Sequence, residues 1–273
     1  MNIFGRALRS RDRKPAKSVG PPGPYLGAPL IQVQSDGGPL WLRKDDGVIL
    51  PYIERNGSWE PEEGALLRRL VRPGTTFVDV GANVGYFSRL IAAVCKPGRI
   101  YAFEPHPELV SVLRLNVWGL SPAVDVVPAA LGESNGTVSL TSAEHNYGDT
   151  RVTTGSDLPT EMVAAMTRMD DVIHGDVDVV KIDVQGYESE VLRGMQRIIR
   201  ENPQLVAIVE FWPAALDGRG IKPSSVLAQY SAMGFDVALL RNGSPHASSF
   251  QEILSFCRSA GLDGQANLVL RKR

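Results

Sequence analysis

The chain reads as an α/β protein with a doubly wound, mostly parallel sheet, and three features say so. From Thr75 onward, short runs of β-formers alternate with helical stretches, the pattern of a parallel sheet covered by helices on both faces. Within Thr75–Gly85, Phe77, Val78 and Val80 lead directly into Gly81, Ala82 and Gly85. A buried strand there breaks into a small-residue loop that feeds a helix. Roughly 20 residues on, where such units hold a ribose hydroxyl, stands Glu104 in Tyr-Ala-Phe-Glu-Pro.

The elements follow in order. Residues 1–29 carry six basic residues before residue 20 against the single acid Asp12, then a Gly/Pro linker, which predicts a solvated, disordered arm. Residues 30–74 read as a cap. Alternation around Ile31–Gln34 and Leu40–Leu42 gives one or two hairpins, Asn56-Gly57 gives another turn, and a helix runs from Glu62 to Val71. Residues 75–273 form the main domain. Its strands are expected at Phe77–Val80, Arg99–Phe103, Val124–Val127, Val179–Asp183, Leu205–Phe211, Phe235–Leu240 and Ala266–Leu270. Its helices are expected at Tyr86–Val94, Pro107–Trp118, Tyr187–Glu201, Pro223–Met233 and Phe250–Ser259. At about 132–166 the alternation lapses into a long polar insertion with two short strands, Thr137–Thr141 and Arg151–Thr154. Such an insertion in a compact domain is more often functional than filler.

Composition excludes several classes. The 273 residues are 43% apolar and 22% charged with net charge −1, an ordinary globular balance with no global attraction to nucleic acid. Cys95 and Cys257 lack metal-type spacing and fit a reducing compartment. No apolar run approaches the roughly 18 residues of a membrane helix, and the N-terminus lacks a signal-peptide core. A cytoplasmic protein without membrane contact is the expectation.

Parallel sheets bind ligands at their C-terminal strand ends, beside the point where strand order reverses. Asp79, Glu104, Asp183 and Glu210 all fall at or near such ends. Four acids along one sheet edge make an awkward core, so at least some should line a cleft.

Four blocks then appear in order: Phe-Val-Asp79-Val-Gly81-Ala82-Asn83-Val-Gly85-Tyr86, Ala-Phe-Glu104-Pro105-His106-Pro107, Thr167-Arg-Met-Asp170-Asp171 and Lys181-Ile-Asp183-Val-Gln185-Gly186-Tyr-Glu188, with Trp59-Glu60 ahead of them. Together they resemble the FkbM-type family of S-adenosylmethionine-dependent methyltransferases over roughly residues 57–212. The resemblance implies the class I methyltransferase fold, a Rossmann-like sheet of seven strands whose last is antiparallel. It places Gly81, Ala82, Asn83 and Gly85 against the methionine part of S-adenosylmethionine, with Asp79 and Asn83 near its amino or carboxyl group. It sets Glu104 on the ribose, Pro105 and His106 beside the adenine, and Ala129, Ala130 and Leu131 on the adenine's other side. S-adenosylhomocysteine would be the product. In one departure, Gln185 stands where the family carries Glu, removing a carboxylate from the fourth block.

A hydroxyl acceptor must lose a proton, which invites a base. Asp183 is the first candidate, with capping of the next helix or cofactor binding as its alternatives. Glu210 and His145 follow. Lys181 reads as the buried half of an ion pair with Asp183 or Glu210, and Glu188 suits a helix start. Glu60, Tyr147 and Trp212 are the candidate acceptor contacts. No metal-ligand motif is present, so none is predicted. The acceptor expected is a small molecule or sugar, in natural-product or glycan biosynthesis, and a homodimer is an assembly the reading allows. Competing readings are N-methylation of a small molecule or peptide, a nicotinamide oxidoreductase, and a non-catalytic scaffold. The Gly-x-x-x-Gly loop, lacking Gly-x-Gly-x-x-Gly spacing, speaks against the nicotinamide.

Overall fold

The computed structural model describes residue 25 and residues 27–143, 146–153, 162–261 and 263–273. It opens with an antiparallel hairpin, β1 (Leu30–Ser35) and β2 (Gly38–Arg43), turning at Asp36-Gly37. Where the sequence suggests further hairpin, the chain forms helix α1 (Ile49–Asn56). The Asp46 carboxylate accepts the N–H groups of Val48 and Ile49 at 2.9 and 2.7 Å, starting the helix, and Ile49, Leu50 and Ile53 bury one side of it. Gly57, at φ 68, ends it by donating to the Ile53 carbonyl. Asn56-Gly57 is therefore a helix cap and not a strand turn. Helix α2 (Pro61–Leu70) follows.

The main sheet begins with β3 (Thr76–Val80), α3 (Tyr86–Cys95), β4 (Arg99–Phe103), α4 (Pro107–Val117) and β5 (Val124–Val127). β6 (Ala130–Leu131) comes next, and the insertion after it supplies β7 (Gly136–Ala143), β8 (Asn146–Thr153) and β9 (Met162–Thr167). These make a separate four-stranded sheet in the order β6-β9-β7-β8, more regular than the polar insertion expected. Then come α5 (Met169–Val172), β10 (Val179–Ile182), α6 (Glu188–Arg193) and α7 (Gln196–Glu201). One helix over 187–201 was the expectation. Asp170 instead caps a second start, its carboxylate accepting Arg197 and Ile198 N–H groups at 2.8 and 3.1 Å. The chain closes with β11 (Val206–Phe211), α8 (Pro213–Gly218), α9 (Pro223–Ala232), β12 (Phe235–Arg241), β13 (Ser244–Ala247), α10 (Phe250–Ser259) and β14 (Ala266–Lys272).

The eight-stranded order is β13-β12-β14-β11-β10-β3-β4-β5. The seven expected strands are all in it, and β14, the last, runs antiparallel to β11 and β12. The added β13 is a short edge strand hairpinned to β12, through Asn242 and Gly243 at φ 49 and 67, the twisted turn that two-residue hairpins favour. Alternate residues of β3 enter different layers: Phe77 packs with Leu40, Ile53, Leu67, Leu90 and Leu113, while Val78 and Val80 pack with Ile182, Leu192, Phe211 and Leu227. The N-terminal hairpin, α1 and α2 thus share one layer with α3 and α4. Strand order reverses between β3 and β10, and the ends of those two strands hold the cleft.

Candidate active site

The loop after β3 is pinned by backbone. The N–H groups of Gly81 and Ala82 both donate to the Phe103 carbonyl, at 3.0 and 2.9 Å, which draws the loop onto the end of β4. Gly81 has φ 76, and a Cβ there would run into the carbonyl oxygen of Asp183. Only glycine lets the β3 and β10 loops approach this closely. Asn83, also left-handed at φ 51, donates its N–H to Glu104 Oε2 at 2.8 Å, and His106 donates its N–H to Glu104 Oε1 at 2.9 Å. Burial pushes the Glu104 carboxyl up to about 7, against the pull of those two bonds.

Glu104 borders a chamber with Gly81, Asn83, Pro105, Ala129, Ala130 and Leu131. Leu140, Thr150 and Val152 of the second sheet cover it. A carboxylate beside apolar walls suits a flat base carrying a diol, so these residues fit the nucleoside half of S-adenosylmethionine.

Three expected cofactor contacts lie elsewhere. Asp79 is 1% exposed, and its Oδ2 accepts the Ser88 N–H and hydroxyl at 3.0 and 2.7 Å. It anchors the start of α3 and does not border the chamber. Gly85 begins that helix, its N–H donating to Ala82. His106 caps α4 by accepting the Glu108 N–H at 3.3 Å. Asp79 alternates away from the cleft and so meets the following helix, while Gly85 and His106 are spent as the caps of α3 and α4.

A second chamber adjoins the first, and Gly81, Asn83, Gly148, Asp183 and Gln185 line both. Its remaining walls include Trp59, Glu60, Ala82, Lys181, Glu210 and Trp212. Asp183 Oδ2 accepts from Lys181 Nζ and Oδ1 from Gln185 Nε2, both at 2.9 Å. Lys181 is buried, 3.8 Å from Glu63 Oε2 and over the Phe87 ring. Burial pushes its amine down, but Asp183, Glu63, Glu60 and Asp79 outweigh that and hold it well above its usual value. Its partners are Asp183 and Glu63, not Glu210. Asp183 does not cap the next helix either: Glu188 Oε1 takes the Val184 and Gly186 N–H groups at 3.2 and 3.0 Å.

Glu210 is 8% exposed and its Oε2 meets no hydrogen-bond partner among the described residues. Burial, then the charges of Asp183 and Glu188, push its carboxyl well above the usual range. Glu60 is raised as well, by burial first. Of the five non-glycine residues with positive φ among those described, Glu60, Asn83 and Gln185 (φ 43, 51 and 55) all line the cleft. Such strain gathers at sites where function holds it.

Trp212 and Glu60, the candidate acceptor contacts, both line the second chamber. His145 lies outside the described residues, as does the side chain of Tyr147. Gly148, Thr150 and Val152 escaped sequence reasoning, since only the pairing of β8 with β7 brings them over the strand ends. Among the described residues, no three His, Cys, Asp or Glu are grouped to hold a metal ion, and no helix is long and apolar enough to cross a membrane.

The sequence model described as Methyltransferase FkbM domain matches residues 79–262. The methyltransferase sdnD of Sordaria araneosa is 28% identical over 59% of this chain and 73% of its own length. The hexuronic acid methyltransferase AglP of Haloferax volcanii is 30% identical over 45% of this chain and 50% of its own. A solved FkbM methyltransferase from Methylobacillus flagellatus aligns with 76% of this chain and 50% of that one, at 15% identity and a TM-score of 0.46.

Proposed function

We propose a specific reaction for this chain, which belongs to the FkbM methyltransferase family: transfer of a methyl group from S-adenosylmethionine to a hydroxyl of a small-molecule or sugar acceptor. One observation carries the reading. Asp183 lines both chambers, beside Gly81 and Asn83, so a donor in the Glu104 chamber and an acceptor in the Glu210 chamber meet at its carboxylate.

The sulfonium supplies an electrophilic methyl carbon. Glu104 would accept hydrogen bonds from the ribose hydroxyls, and the Gly81–Asn83 loop would hold the donor's amino-acid end. Asp183 would take the proton of the acceptor hydroxyl as that oxygen receives the methyl group. Lys181 and Gln185 fix that carboxylate from its two oxygens, which favours in-line geometry through positioning. Leu140 and Val152 exclude water from the donor side. The name of one relative, a hexuronic acid methyltransferase, makes a sugar the first acceptor class to try.

The test is titration with S-adenosylmethionine and NAD separately, then mass-shift screening of hydroxylated acceptors with labelled donor. Binding of S-adenosylmethionine and a single-methyl shift on oxygen are expected. A protein that binds NAD alone, or that methylates only nitrogen, would overturn the reading.

A further inference from the structure

The acceptor chamber is short of hydrogen-bond donors. Glu60 and Glu210 both line it, and the Oε2 of each is buried without a partner among the described residues. Native proteins seldom leave such atoms unmet. Glu210 lies near the end of β11 and is 8% exposed. Glu60 stands just before α2 at φ 43, yet its side chain caps no N–H of that helix. Its carboxyl hydrogen-bonds with that of Glu63, which engages one oxygen and leaves Oε2 over. The two residues are near enough for the charge of Glu60 to push the Glu210 carboxyl up.

The chamber's own cation is spent elsewhere. Lys181 donates to Asp183 at 2.9 Å, lies 3.8 Å from Glu63 Oε2 and sits over the Phe87 ring. Glu60, Asp183 and Glu210 therefore face the chamber against one ammonium that is already engaged.

A ligand that meets this deficit brings donors and positive charge together. A hydroxyl has one proton to donate, whereas an alkylammonium has three and carries the charge. Trp59 and Trp212 line the same chamber, and indole faces attract cations. The third unmet atom, Trp212 Nε1, is a donor and is answered by an oxygen on the same ligand.

Resting on the methyltransferase reading, we infer that the acceptor is an amino alcohol of the amino-sugar class, with its ammonium held by Glu60 and Glu210 and its reacting hydroxyl at Asp183. Held between carboxylates, the ammonium keeps its protons and has no lone pair with which to attack a methyl carbon. The hydroxyl is then the group that Asp183 deprotonates, so an amine directs methylation to the oxygen beside it.

The test uses the full chain saturated with S-adenosylhomocysteine, titrated at neutral pH with D-glucosamine and with D-glucose as probes. Glucosamine should bind about 10–100-fold more tightly, the worth of a charge-assisted contact. Glu210→Gln and Glu60→Gln should each erase most of that preference while binding S-adenosylhomocysteine as the wild type does. Equal affinity for the two probes, no binding of glucosamine, or a preference that survives in either folded variant would overturn the inference and leave the methyltransferase reading standing. Failure of the wild type to bind S-adenosylhomocysteine would remove that reading and this inference together.

Discussion

In the first chamber both oxygens of Glu104 accept backbone N–H groups, from Asn83 and His106. In the second, Glu210 and Trp212 each end on a buried polar atom with no partner among the described residues. The carboxylate of the donor side is held by neighbouring loop backbone and is internally satisfied. The acceptor side draws on α2's start, β8, β10 and the end of β11, and leaves polar atoms for a ligand to meet. Preorganised backbone suits a ligand of fixed shape, whereas scattered side chains set the choice of acceptor.

Substitutions can break this division. Gly81→Val strikes the seam itself, since its Cβ would collide with the Asp183 carbonyl at a φ that a branched residue resists. Stability should fall by about 3 kcal/mol or more, with donor affinity lost, as thermal melts with and without S-adenosylmethionine would report. The contact found is with the β10 loop, so the fold should suffer first. Asp183→Asn keeps shape and one acceptor oxygen but takes no proton. Turnover should drop about 10²–10⁴-fold in single-turnover assays while donor affinity stays near normal.

Glu104→Ala should weaken the donor alone, by about 1.5–3 kcal/mol, read by calorimetry on a folded variant. The smallest expected effect is on pH. A ribose diol donates to the charged form of Glu104, which burial raises to about 7. Donor affinity should therefore rise about tenfold from about pH 6 to pH 8 and then level off. Stability runs the other way. Because the folded value exceeds the ordinary 4.5, folded protein keeps a proton that unfolded chain has lost, and this contribution fades as pH climbs toward 7. Donor affinity that is flat with pH would blur the contrast between the chambers.

Much of the donor side was legible because its signal is local. β3 is buried throughout, so it reads as an apolar run, and the loop, the helix and Glu104 follow at fixed offsets. Local signals also misled. Asn56-Gly57 and Asn242-Gly243 are the same dipeptide, yet the first caps α1 and the second turns β12 into β13. What differs is the flanking pattern: Ile49, Leu50 and Ile53 at helical spacing in one case, paired strands in the other. β9, Met-Val-Ala-Ala-Met-Thr, carries no turn residue to announce it. Asp79 and Asp183 look alike as strand-end acids, but Asp79 alternates toward Ser88 and away from the cleft. Thr150 and Val152 gain their places over the strand ends only from tertiary packing, because no neighbour in sequence marks either one.

The most direct test is a paired titration of S-adenosylmethionine into Glu104→Ala and Glu210→Gln, each checked for folding against the wild type. Two separate chambers predict that the first variant loses about 10–150-fold in affinity and that the second binds the donor as the wild type does. Equal losses in both, or a loss confined to Glu210→Gln, would contradict the assignment of donor to the Glu104 side and acceptor to the Glu210 side.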